Sequence, residues 1–127
     1  MPAGEHHTPF GRLKKRADYL RVRGGRSWRS GSLVLQARRR TEQDDRFASP
    51  PRFGFTATRR IGTAVARNRA RRRLKETVRR IAQSHARPGY DYVVIARRGA
   101  LTRSFTNMQK DLEEAFSGVH KEQKTQH

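Results

Sequence analysis

Two sets of residues in this chain have types and spacing that could do chemistry, and they differ greatly in strength. The first is acidic and imidazole-bearing: Glu42, Asp44 and Asp45 close together, Asp91 further on, and His6, His7, His85, His120 and His127. A metal-dependent nuclease brings several carboxylates together around its ions. Here the acids near Asp44 read as a solvated loop and Asp91 as a local hydrogen-bonding group before a strand. Four of the histidines fall in expected tails. His85 closes an expected helix, where the dipole favours a cation. Cysteine is absent, which removes disulfides, thiolate nucleophiles and cysteine-based zinc sites. No catalytic and no metal-ligating residue is expected.

The second set is the basic run Arg67, Arg69, Arg71, Arg72, Arg73, Lys75, Arg79 and Arg80, with Asn68 inside it and Glu76 as its acid. On a helical wheel Ala70, Leu74, Val78, Ile81 and Ala82 fall within an arc of roughly 120°, enough for a core-facing stripe. Asn68, Arg72, Lys75 and Arg79 gather on one flank and Arg69, Arg73 and Arg80 on the other. Arg67 and Arg71 sit near the apolar edge. An ordinary solvated helix mixes signs, because like charges four residues apart cost about 0.2–0.5 kcal/mol per pair. Arg67/Arg71, Arg69/Arg73, Arg71/Lys75 and Lys75/Arg79 all break that pattern. Such a helix needs an anionic partner, and arginine favours bidentate phosphate contacts.

The whole chain points the same way. Its 127 residues carry 30 Lys and Arg against 11 Asp and Glu, a formal charge of +19. Self-repulsion on that scale makes most sense beside a polyanion. A membrane is the weaker candidate, since no apolar run approaches the roughly 20 residues that span a bilayer. Met1 to Phe10 lacks the order of a signal peptide, so a cytoplasmic protein is expected.

The elements that must position these residues are legible in part. Residues 1–11 read as a flexible tail, 12–117 as one domain, and 118–127 as a second tail. Leu13, Ala17, Leu20 and Val22 predict a first helix over Arg12–Val22, stopped by Gly24-Gly25. Ser32–Arg38 and Arg52–Thr58 read as strands, and antiparallel pairing between them is expected. The second places Phe53, Phe55 and Ala57 on one face and Gly54, Thr56 and Thr58 on the other. A long helix follows over Thr63–His85, stopped by Pro88-Gly89. Tyr90–Ala96 is nearly continuous apolar, as in a strand covered on both faces. Ser104 is a candidate N-cap for a last helix along Phe105, Met108, Leu112, Ala115 and Phe116, ending at Ser117-Gly118. Trp28 reads as an anchor at the core edge.

The segment Arg52-Phe53-Gly54-Phe55-Thr56-Ala57-Thr58-Arg59-Arg60-Ile61-Gly62-Thr63-Ala64-Val65, with Arg67-Asn68-Arg69-Ala70-Arg71-Arg72-Arg73-Leu74-Lys75 after it, resembles the protein subunit of bacterial ribonuclease P. Arg12-Leu13-Lys14-Lys15, Tyr19 and Asp91 to Gly99 extend the resemblance over nearly the whole domain, Arg12 to Phe116.

The resemblance implies an α/β (α+β) two-layer sandwich of αβββαβα-like order. Its small mixed sheet carries the basic helix in a left-handed βαβ crossover, where handedness rules alone predict a right-handed one. It implies two partners, the ribonuclease P RNA subunit and precursor tRNA, one protein acting as a monomer with one RNA. In the family the RNA performs the hydrolysis with magnesium and the protein binds no cofactor of its own. Arg67, Asn68, Arg69, Arg71, Arg72, Lys75 and Arg79 correspond to the signature helix near the catalytic RNA. Tyr19, Arg23, Gln36, Thr56, Thr58, Arg59 and Arg60 correspond to a cleft for the 5′ leader, with Tyr19 stacking on bases. Arg12, Lys14, Lys15, Arg97 and Arg98 add basic contacts. Arg23 and Gln36 stand where many members have aromatics, so leader binding here leans on charge and hydrogen bonding. A ribosomal or other structural RNA-binding protein shares the charge without this resemblance. An autonomous nuclease is the third class; it would cleave without any RNA subunit.

Overall fold

The computed structural model describes residues 10–41 and 49–121. In chain order the elements are β1 (Gly11–Arg12), α1 (Arg16–Arg23), β2 (Arg26–Arg29), β3 (Leu33–Arg39), β4 (Arg52–Thr56), a 3-10 turn (Arg59–Ile61), α2 (Ala64–His85), β5 (Tyr90–Ala96), α3 (Gly99–Thr102) and α4 (Phe105–Val119). The strands form one mixed sheet in the order β1-β4-β5-β3-β2. β5 lies at its centre, parallel to β4 and antiparallel to β3.

That order corrects the expected pairing of the strands at Ser32 and Arg52. β3 and β4 never pair; β5 lies between them, with Leu35 facing Val94 and Phe55 facing the same Val94 from the other side. The reason is the composition of β5. It is apolar at successive positions, so burial favours the centre of the sheet, and the neighbours must take its two edges. The long helix α2 connects β4 to β5, neighbouring parallel strands, which is the crossover the resemblance implies.

One face of the sheet carries the main core. Leu33, Leu35, Phe53, Tyr92, Val94 and Ala96 pack under Ala70, Leu74, Val78, Ile81 and Ala82 of α2 and Met108, Leu112, Ala115 and Phe116 of α4. Burying a side chain of this size stabilises the fold by about 1.5–3 kcal/mol. Both helices start as the sequence predicts. Thr63 accepts a hydrogen bond from the Ala66 N–H at 3.2 Å and Ser104 one from the Asn107 N–H at 3.1 Å. The opposite face is covered in part by α1, where Val22, Leu13 and Val93 form a smaller cluster with Tyr19 and Ile95 at its margin.

Several boundaries move. The first helix begins at Arg16, not Arg12, because Gly11–Arg12 pairs with Arg52 and Phe53 as β1. Phe10 belongs to the fold as well, its ring edge-on to Phe53 at 5.3 Å. At the other end α4 continues through Gly118 to a buried Val119, so the domain outruns residue 117. Residue 118 has to be glycine because Trp28 lies directly over it: a Cβ there would stand 2.1 Å from the indole. Trp28 is thus the expected edge anchor, on β2, and 38% exposed. The acids at Glu42, Asp44 and Asp45 and the histidines His6, His7 and His127 lie outside the described residues.

Candidate nucleic-acid interface

α2 is built so that its two basic flanks do different work. On the flank toward α3 and α4, Arg73 donates to the carbonyls of Ala100 at 2.7 Å and Arg103 at 2.6 Å. Its guanidinium also lies 4.8 Å from the Phe105 ring centroid, and Arg80 shares that ring at 5.2 Å. Burial, with repulsion from Arg69, lowers the Arg73 pKa. On the opposite flank Asn68, Arg72, Lys75 and Arg79 are exposed, as is Arg69. Arg67 and Arg71, half-buried near the apolar edge, are steadied by local bonds: Arg67 to the Gly62 carbonyl at 2.9 Å, and Arg71 to the Asn68 side chain. Glu76 takes bonds from Arg79 at 2.6 Å and Arg80 at 2.8 Å. The Arg79 and Arg80 bonds hold its carboxyl below the usual carboxylate range.

Across the sheet, α1 and the face of β3, β4 and β5 turned toward it enclose a cleft of about 570 Å³. It brings together Lys14, Tyr19, Arg23, Gln36, Thr56 and Thr58, which the sequence places on three separate elements. The strand period explains the convergence: Thr56 and Gln36 point away from the main core and therefore toward α1. Gly54 makes room for the tyrosine. A Cβ at residue 54 would stand 2.5 Å from the Tyr19 ring, so the ring rests on bare backbone while its remaining surface lines the cleft. Arg23 and Gln36 do stand in this cleft, so its polar character is a property of the folded site.

Other expected members fall elsewhere. Arg59 and Arg60 do not line the cleft; they form the exposed 3-10 turn between Thr58 and α2. Arg97 is half-buried and donates to the Ser30 carbonyl, a tie inside the fold, whereas Arg98 is exposed beside α3. Lys15 is exposed at the N-cap of α1, and Arg12 is exposed on β1 beside Lys75 and Arg79. Sequence reasoning missed Arg16, Leu20, Val93 and Ile95 as cleft residues. The signal was there for two of them: alternate positions of β5 must face α1, and Val93 and Ile95 are those positions.

Asp91 requires a correction. It is no local hydrogen-bonding group but a carboxylate 1% exposed that binds three guanidiniums. Arg52 donates at 2.8 and 2.6 Å, Arg21 at 2.7 Å, and the fully buried Arg40 bonds the other oxygen. These arginines arrive from α1, from β4 and from just past the end of β3, so Asp91 ties α1 to three strands of the sheet on the face away from the main core. A second carboxylate, Asp111 on α4, accepts from Arg103 at 2.8 Å and from the buried Ser32 hydroxyl at 2.8 Å. The described carboxylates that approach the core are therefore occupied by arginine. His120, expected in a tail, is instead held against the Tyr92 hydroxyl at 2.6 Å.

Comparison with known proteins places the fold and the sequence in one family. The Ribonuclease P family profile matches residues 9–120. A Ribonuclease P protein component from Paramagnetospirillum magneticum is 45% identical over 115 residues, 90% of this chain and 86% of that relative. One from Caulobacter vibrioides is 43% identical over 116 residues, 91% of this chain and 75% of that relative. Among solved structures, the Staphylococcus aureus RNase P protein superposes with a TM-score of 0.64 at 28% identity, covering 84% of this chain and 92% of that one. The mixed sheet, the basic crossover helix and the sequence agree over most of the domain: the chain belongs to the Ribonuclease P family of protein components.

Proposed function

We propose that the chain binds the RNA subunit of ribonuclease P through the open flank of α2 and holds the 5′ leader of precursor tRNA in the α1–sheet cleft. The RNA subunit carries the magnesium ions and performs the hydrolysis, in the cytoplasm, with one protein per RNA. The observation that carries this reading is the convergence of Lys14, Tyr19, Arg23, Gln36, Thr56 and Thr58 in one cleft. After β4 the chain leaves that cleft through the 3-10 turn of Arg59 and Arg60 and enters the Arg67-Asn68-Arg69 turn of α2. A leader in the cleft and an RNA against α2 would thus be held by one continuous segment of chain.

Three cations, Lys14, Arg16 and Arg23, and an aromatic suit a single strand, because stacking on a ring is worth about 1–3 kcal/mol per base and tolerates any sequence. Thr56, Thr58 and Gln36 add hydrogen-bonding groups for sugars and phosphates. Reconstitution tests the proposal: the protein is combined with a bacterial ribonuclease P RNA and precursor tRNA at low magnesium. Leader removal should become efficient at magnesium concentrations where the RNA alone is slow. No stimulation, or copurification with ribosomal RNA instead, would overturn it.

A further inference from the structure

On the other side of β4 from the cleft, β1, β4 and α2 enclose a hollow of about 310 Å³ whose aromatic interior none of the roles above uses. Its walls are aromatic. The Phe53 and Phe55 rings lie stacked with centroids 6.3 Å apart, and Phe10 meets Phe53 edge-on. Val78 closes it on the α2 side, and Lys75, Arg79 and Arg12 stand around it. Lys75 holds its ammonium 5.9 Å from the Phe55 centroid, over the ring face.

We propose that this hollow takes one unpaired base of the RNA subunit, with the adjoining phosphates on Lys75, Arg79 and Arg12. The inference rests on the reading that α2 faces that RNA, and it makes the open flank a base-capturing site as well as a charged one. Two features select this occupant. The hollow lies at the small end of the range for ligand sites, about 300–1,000 Å³, so it suits one ring system and not a helix or peptide strand. Its rim is cationic on a chain of charge +19, so the occupant carries negative charge beside its apolar ring. A nucleotide has both. Arg79 would exchange Glu76 for phosphate, and Arg80 keeps Glu76 engaged.

The test is chemical probing of the RNA subunit with reagents that read all four bases, free and in complex with wild-type, Phe55→Leu or Arg12→Gln protein. Wild type should protect at least one unpaired base. Phe55→Leu keeps an apolar side chain but removes the stacking face, so that base should become reactive again while other protections persist. Assembly should weaken roughly five- to a hundredfold. Arg12 is exposed on an edge strand, so Arg12→Gln leaves folding intact. It should reduce the slope of log affinity on log salt by about one and raise reactivity at the same base. A footprint unchanged in both variants, with affinity within twofold of wild type, overturns the proposal. An unchanged footprint with lost binding to phosphatidylglycerol vesicles assigns the hollow to an acyl chain and also overturns it. A wild-type protein that leaves no footprint at all overturns the functional reading as well, which separates the two failures.

Discussion

Arginine does opposite things at the two ends of the β4 segment. Around Asp91, Arg40 and Arg52 are withdrawn from water and held by a carboxylate that is itself buried. Along α2, Arg69 and Arg72 stand in solvent, with like charges for neighbours and no bonding partner among the described residues. Burying a charge costs several kcal/mol unless geometry and further hydrogen bonds repay it, so the Asp91 cluster is structural by necessity. Exposed like charges bring no such repayment within the fold; their energy is realised only when an anion arrives. The same side chain therefore serves the fold where a buried acid or a carbonyl of another element faces it, as at Arg52 and Arg73, and is left open to an anion where neither does.

Salt should separate the two regions most sharply. An interface of six to ten phosphate contacts loses about three to five decades of affinity between roughly 50 and 200 mM salt, on the calibration for duplex DNA. The Asp91 cluster lies out of reach of counterions, so salt should not weaken it, and the melting temperature of the free protein should hold or rise over the same range as salt screens the like charges of α2. Measured side by side, a salt-insensitive RNA affinity would break the comparison.

Substitution should then show the reverse asymmetry. Asp91→Asn leaves three guanidiniums facing a neutral amide, two of them largely or fully buried, and should cost about 3–5 kcal/mol of stability in a denaturant titration. Neutralising Arg67, Arg69, Arg71 and Arg72 together should leave the melting temperature close to that of wild type or above it, while RNA assembly collapses. Equal RNA affinity for that variant would remove α2 from the interface.

A smaller effect is expected at Tyr19, where the two kinds of role meet. The ring is packed on Gly54 yet lines the cleft, so it has both a structural and a binding side. Tyr19→Ala should lose about 1–3 kcal/mol of binding to precursor tRNA and almost nothing for mature tRNA. Losses equal for both forms, with a lowered melting temperature, would make Tyr19 a packing residue only.

Much of this was legible before any coordinates. α2, α4, β4 and β5 follow from periodicity, and the caps at Thr63 and Ser104 from residue type. The cleft residues came from a family motif, which their scattered positions could not have supplied. What stayed hidden has a common cause. β2 is Arg-Ser-Trp-Arg with all four residues exposed, so it has no alternation to read. The apolar run of β5 announced a strand buried on both faces, but which two strands flank it is a long-range pairing that the patterns of β3 and β4 do not encode. Asp91 draws its partners from residues 21, 40 and 52, each unremarkable in a chain this rich in arginine. Arg59 and Arg60 were placed by motif in the cleft, and a single 3-10 turn carries them out of it.

His120 offers the finest test of the rule that a buried cation needs a facing acid. The Tyr92 hydroxyl accepts from the Arg87 N–H at 2.9 Å and shares a hydrogen bond of 2.6 Å with the His120 Nε2. The other ring nitrogen, Nδ1, is buried without a partner among the described residues, so nothing there would stabilise a second ring proton. The groups that face this ring are Arg87, Arg26, Tyr92 and Tyr90. None is an acid, and burial followed by repulsion from Arg87 and Arg26 pushes the imidazole down to about 4. The unfolded chain takes up its proton near the ordinary value of 6.5, the folded chain only near 4, so the unfolded state binds more protons between them. Stability on this account is complete above pH 6.5 and falls as pH drops through that window. Allowing for solvent screening of a half-exposed ring, the loss is on the order of 1–2 kcal/mol. His120→Gln keeps an oxygen to accept from Tyr92 but cannot be protonated. Its melting temperature should decline less than that of wild type between pH 6.5 and 4, with the two curves parallel above pH 7. Parallel curves throughout the acid range would show that His120 titrates normally, and that this end of the domain tolerates a buried cation which no carboxylate faces.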